Sequence, residues 1–139
     1  GTYLERWIPK PAWPGREDSR FDVRVITLDG KPRQRVARVS KGALTNLHLG
    51  NERGSLEDCL KLEARASLEL TAASAAAAFP RSRMIGFDLI ARGCRNWVLE
   101  ANGFGDLLPG LHHHGRTTYE DQAAMAPGNR AVSAQRAHG

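Results

Sequence analysis

Asp88, Glu100 and Asn102 are the residues in this chain whose types and spacing could do chemistry. Met84 to Ala91 and Trp97 to Ala101 read as extended runs, joined by the turn-like Arg92-Gly93-Cys94-Arg95-Asn96. If that hairpin turns around Cys94, Ala91 faces Trp97, and counting back sets Asp88 directly opposite Glu100. Directly opposed residues hold their Cβ atoms about 4.5–5.5 Å apart, where two like charges destabilise a sheet unless a cation lies between them. Asn102, two residues beyond Glu100, points to the same face and adds a neutral oxygen. Such a donor set suits Mg²⁺, which keeps several waters and takes only one or two carboxylates from protein. The same residues also suit a solvated sheet face on which Arg92 or Arg95 pairs with the acids, and spacing alone leaves both readings open.

The elements that must position these residues can be sketched from pattern. Residues 2–8 read as a strand ended by Pro9, Pro11 and Pro14, followed by a polar, proline-rich loop. Phe21 to Leu28 alternates apolar with polar up to Asp29-Gly30, a dipeptide that favours a tight hairpin into a second strand from Arg33 to Ser40. A long loop from Lys41 to Gly54 carries Asn46 and His48. Ser55 is placed to cap a helix, with Asp58 as a short-armed capping box. Leu56, Leu60, Ala64, Leu68, Ala72, Ala75 and Phe79 then form one apolar stripe that ends at Pro80. A loop with His112, His113 and His114 precedes a short helix near Tyr119 to Met125, and the tail from Pro127 reads as disordered. Three adjacent histidines cannot all converge on one ion, so they read as exposed loop residues. Paired strands around one long helix give an α+β fold, an antiparallel sheet covered by a long helix.

Composition bounds the answer. The chain has 139 residues, 20 Lys+Arg against 15 Asp+Glu, and a formal net charge of +5, so a polyanionic partner is open: nucleotide phosphates or nucleic acid. Cys59 and Cys94 are too few for a disulfide scaffold and lack zinc-site clustering, so they read as buried or idle thiols. No window is apolar for long enough to cross a membrane and the start has no signal pattern, which reads as a cytoplasmic protein with no membrane partner. The chain opens on Gly1, and a piece of a longer protein is expected.

Several motifs, in order, carry a resemblance. They are Leu4-Glu5-Arg6-Trp7-Ile8, Asp22-x-Arg24, Asn46-Leu47-His48-x-Gly50, Gly86-x-Asp88 and Glu100-x-Asn102. Over residues 4–111 their order and spacing resemble the C-terminal part of an ATP-grasp ligase, of the branch with ribosomal-protein glutamate ligase and glutathione synthase-like enzymes. The resemblance implies residues 1–111 as the C-terminal ATP-grasp subdomain, 112–126 as a loop and short helix, and 127–139 as the tail. It further implies that the backbone around Arg6 and Trp7 meets the adenine of ATP, that Asp22 reaches the ribose, and that His48 also lies at the nucleotide. Arg24, Asn46 and Arg38 are implied at the phosphates or acyl substrate, and Asp88, Glu100 and Asn102 as ligands of Mg²⁺ or Mn²⁺. The implied reaction activates a small-molecule or peptide carboxylate as an acylphosphate, which an amine acceptor, or a thiol, then opens.

Two positions depart from the family. Leu44 stands where the family often has Arg, and Gly103 to Pro109 replaces its commoner small-residue turn. The family's two lysines and Gly-rich loop belong ahead of the hinge strand and cannot fit before Tyr3, so the chain is expected to hold half an active site. Two rival readings are a noncatalytic relic of the fold and a nucleic-acid module built on Arg33, Arg35 and Arg38. The second is disfavoured because aromatics are 6% of the chain and none interleaves with those arginines.

Overall fold

A computed structural model describes residues 2, 4, 6–41, 52–103 and 107–125 of the chain. Among them six strands form one antiparallel sheet: β1 (Ala12–Trp13), β2 (Arg16–Leu28), β3 (Lys31–Ser40), β4 (Glu52–Gly54), β5 (Met84–Arg92) and β6 (Arg95–Asn102). The order is β4-β3-β2-β5-β6, with β1 folded back on β2. Helices α1 (Leu56–Cys59) and α2 (Leu62–Ala77) follow β4. A small hairpin, β7 (His112–His113) and β8 (Arg116–Thr117), leads into α3 (Thr118–Ala124). The α+β class and the antiparallel sheet are as expected from pattern.

Alternation sorts β2 onto two faces. Phe21, Val23 and Val25 join Ala37, Val39, Phe87 and Leu89 in a core beneath α2, which contributes Ala64, Leu68, Ala72 and Ala76. On the opposite face Ile26, Leu28 and Val36 form a second, smaller core with Leu108, and Leu111 and Met125 pack against it. The other half of that second face is polar, and it carries the candidate site.

Four expectations are corrected. Residues 2–8 are not a strand where described; a strand needs a ladder partner, and Leu4 and Trp7 stand exposed without one. The proline-rich stretch holds a hairpin instead, turning at Pro14-Gly15 with Gly15 at φ 75°, so that buried Trp13 meets Phe21 edge-on at 5.6 Å. The end of the loop from Lys41 to Gly54 is strand β4, paired with β3, while 42–51 lie outside the described residues. The single helix from Ser55 to Phe79 is two helices, because Leu60 is extended at φ −131° and ψ 133°. This kink lets Leu56 and Leu60 both enter the main core; at the other end Ala76 is buried and Ala75 packs beside it, while Phe79, past the end of α2, is exposed. The Ser55 cap bonds to the Glu57 amide and carboxylate, not to Asp58.

Asp29 and Gly30, at φ 47° and 76°, make the expected two-residue turn between β2 and β3. The tail from 127 lies outside the described residues.

Gly54 is needed for space. A Cβ built on it would stand 2.3 Å from Cη2 of Trp13, whose ring is walled in by the core. Gly54→Ala is therefore expected to cost about 1–3 kcal/mol by overpacking, measured as a shift of the urea midpoint. An unchanged midpoint would mean that the Trp13 ring can move aside.

Candidate functional site

Two β-bulges aim the site. From the Leu28–Lys31 turn pair, regular counting would place Arg38 opposite Phe21, on the face beneath α2. The register instead slips between Val25 and Thr27, where β3 takes one extra residue, and Arg38 lands opposite Asp22. The β5–β6 ladder does the same. Its turn pairs Arg92 with Arg95, so Ala91 faces Asn96 rather than Trp97, which corrects the sequence count by one. Leu99 then bulges out between the Leu89–Val98 and Asp88–Glu100 pairs, and this restores the expected apposition of Asp88 and Glu100. Without it Glu100 would pair with Phe87 on the buried face. Bulges of this kind re-aim side chains next to functional sites.

Asp22, Arg24, Arg38 and Asp88 form one ionic chain on the polar face. Arg24 donates from Nε to Asp88 Oδ1 at 2.7 Å and from a terminal nitrogen to Oδ2 at 2.9 Å. Arg38 bridges the two acids, at 3.0 Å from Asp88 Oδ2 and 2.8 Å from Asp22 Oδ1. Lys10 closes the chain, 2.9 Å from Asp22 Oδ2. Both acids and Arg38 are buried, and Arg24 and Lys10 nearly so. Burial by itself would lower the Arg38 pKa, but the Asp22 hydrogen bond and the Asp22 and Asp88 charges outweigh it and raise the value. Lys10, Arg24 and Arg38 thus meet Asp22 and Asp88 in one linked set of charges.

Lys10 is the member that sequence reasoning missed. The segment that carries it is tied to the sheet through the Pro11 carbonyl, which accepts from the Phe21 amide at 3.1 Å, and through the Pro9 carbonyl, which accepts from Arg92. Arg6 and Trp7 precede this anchor and are both exposed. Asn46 and His48 lie outside the described residues.

The Glu100 side chain is exposed and makes no hydrogen bond or ion pair among the described residues, and Arg92 and Arg95 lie instead against the Trp97 ring at 6.0 and 5.7 Å. Asn102 is half-buried opposite Gly86. Because Gly86 has no side chain, a small hollow opens there, walled by Arg24, Ile26, Met84, Asn102, Gly103 and Leu107. The donor set is compatible with a hard divalent ion. A carboxylate offers about four lone-pair positions. The arginines use three of those on Asp88, which leaves one on Oδ1, while Glu100 and the Asn102 amide supply further oxygens on the same face. With only two acids it is no cluster of three or more His, Cys, Asp or Glu, and no such cluster exists among the described residues. The remaining positions would fall to water or phosphate, as Mg²⁺ prefers.

The remaining motifs stand apart from this face. His112 and His113 are strand residues opposite Thr117 and Arg116, not loop residues, and His114 turns between the strands at φ 50°. Burial first, then the charges of His114, Arg35 and Arg33, hold the His113 pKa below the ordinary imidazole value. Cys94 sits exposed in the β5–β6 turn, while Cys59 is half-buried and its thiol is pushed up to about 12, first by burial and then by Asp58 and Glu57. Because the thiolate is the reactive form, iodoacetamide at pH 8 should label Cys94 and leave Cys59 largely intact, with labelling of Cys59 rising as pH approaches its pKa. Peptide mass mapping reads both sites, and equal rates would contradict the burial of Cys59.

No helix among the described residues is long and apolar enough to cross a membrane. A scan of the chain against protein-family models finds no matching family, and a search of curated proteins finds no matching relative.

Proposed function

We propose that this chain is the nucleotide- and magnesium-binding portion of an ATP-dependent ligase that joins a carboxylate to an amine, or to a thiol, through an acylphosphate. The observation that carries the reading is the apposition of Asp88 and Glu100, with Asn102 on the same face and Arg24 beside them. It is the arrangement that the ATP-grasp resemblance requires of its metal ligands, and a bulge at Leu99 is spent on achieving it.

Asp88, Glu100 and Asn102 would hold Mg²⁺. When bound, it supplies positive charge against the triphosphate. Phosphoryl transfer is mostly positioning and electrostatics, and here the chain's own part is Arg24 at the hollow by Gly86, held in place through Asp88 with Arg38 behind it. Arg24 is the arginine that borders that hollow, so it is the one assigned to the phosphates or the acyl group. Asp22 is assigned a holding role toward Arg38 and Lys10 in place of a direct ribose contact, since its carboxylate is buried and turned to those two cations. The backbone at Arg6 and Trp7, just ahead of the Pro9 anchor, is assigned to the adenine.

A noncatalytic relic is the second reading, favoured by one observation: the Asp88 charge is already met by two arginines. The nucleic-acid reading loses ground, because Arg38 is buried on the polar face and Arg35 pairs with Glu69 at 2.9 Å.

Paramagnetic broadening by Mn²⁺ tests the proposal on the chain itself. Millimolar Mn²⁺ should selectively broaden the amide signals of Asp88, Glu100 and Asn102, and Glu100→Gln should abolish the effect. Uniform broadening, or broadening that survives Glu100→Gln, would remove the metal site.

A further inference from the structure

We propose that the hollow at Gly86 is a carboxylate subsite and that Gly86 sets what can enter it; that the acid bound there is the one the ligase activates rests on the function proposed above. Nothing in the backbone asks for glycine at this position. Gly86 lies within β5, between Ile26 of β2 and Asn102 of β6, and has no positive φ. A Cβ built on it would meet only Ile26 Cδ1 at 3.4 Å and the Asn102 carbonyl oxygen at 3.8 Å, both ordinary contacts. Glycine weakens a strand relative to alanine, and where neither a turn nor crowding demands it, it marks a place that a ligand approaches closely.

The walls select the ligand. Arg24 spends Nε and Nη2 on Asp88, and its Nη1 makes no bond among the described residues. The Asn102 side-chain amide is uncommitted among them as well. Ile26, Met84 and Leu107 supply the other side-chain walls, all apolar. A lining that is part cation and amide and part carbon suits a carboxylate, which has its charge at one end and carbon at the other. A phosphate fits worse, because it carries oxygens on every side and those against the apolar walls would lose their hydrogen bonds. The hollow measures about 10 Å³, roughly the room of one water-sized group, so it holds a single carboxylate oxygen. A methyl group is of that size too, and Gly86→Ala would close the space.

Acetate tests this on the 139-residue chain, followed by amide NMR with chelator present and the ionic strength held constant with chloride. Acetate should saturably shift the Gly86 and Gly103 amides and the Asn102 side-chain amide, and inorganic phosphate should shift them less at equal concentration. Gly86→Ala should weaken acetate binding about ten-fold or more, because the methyl takes the oxygen's place, and should melt no lower than the parent. No acetate shift, a stronger response to phosphate, or acetate binding that survives Gly86→Ala would each overturn the proposal. A Gly86→Ala chain that melts below the parent would show a structural glycine and overturn it as well. Because neither metal nor ATP is present, the outcome separates from that of the Mn²⁺ experiment. Acetate binding without selective Mn²⁺ broadening would sink the ligase reading and leave the carboxylate subsite standing.

Discussion

Asp88→Asn should destabilise the chain by about 3–5 kcal/mol, because it leaves buried guanidinium groups without their counter-charge. In a domain of this size that corresponds to a fall in Tm of roughly 10–20 °C. The Asn amide keeps one acceptor oxygen and turns an NH₂ donor toward a guanidinium. Arg24 therefore loses at least one of the two hydrogen bonds of its fork together with the opposing charge, while Arg38 keeps its bond to Asp22. A second substitution separates charge from packing. Adding Arg24→Met removes the cation that Asp88→Asn leaves without a carboxylate, so the double variant should be more stable than Asp88→Asn alone. Thermal and urea denaturation of the three proteins decide the matter. A single variant within about 1 kcal/mol of the parent would show that the buried ionic chain is not holding the sheet.

Glu100→Gln should do the opposite: little to stability and much to turnover. The side chain is exposed and unpaired among the described residues, so its loss should leave metal-free stability within about 0.5 kcal/mol or slightly raise it, because like-charge repulsion with Asp88 is relieved. On the proposed reading, turnover of a ligase that contains this chain should fall by about 100- to 1,000-fold, the scale of several kcal/mol that a metal ion contributes to transition-state charge. Each measurement is made once with magnesium and once with chelator. Unchanged turnover would take Glu100 out of the site.

The contrast between these neighbours also measures what the amino-acid pattern can reveal. The pairing of Asp88 with Glu100 was legible because a hairpin is local and its turn residues are distinctive. Even so, the count was right for an incomplete reason: the turn lies one residue from the place assumed, and the Leu99 bulge compensates. The ionic chain was not legible. Asp22–Arg38 depends on a second bulge with no residue signature, Arg24–Asp88 joins positions 64 apart, and Lys10 arrives on a proline-rich segment that has no periodicity. The break in the helix at Leu60 was hidden for another reason. Nothing in Cys59-Leu60-Lys61 disfavours helix, and the kink follows from where two leucines must go to be buried. Alternation along β2 was readable, since Phe21 and Val23 against Asp22 and Arg24 announce two different faces.

The bulges at Arg33-Gln34 and at Leu99 also decide which heritable changes the chain can absorb. A point substitution at Leu99 alters one exposed side chain and leaves the ladder as it is. Deletion of Leu99 is different in kind. It would regularise the strand and move every later residue to the other side, so Glu100 and Asn102 would swap places with neighbours without any change in their own identity. Loss of one residue from the β3 bulge would turn Arg38 inward in the same way. The letter at Leu99 can therefore vary while the number of residues at either bulge cannot, and at the β3 bulge Gln34 is held besides by its bonds to the Arg116 carbonyl and Asp121; a reading by aligned columns that tolerates a one-residue gap in either strand would match residues that no longer face the same space.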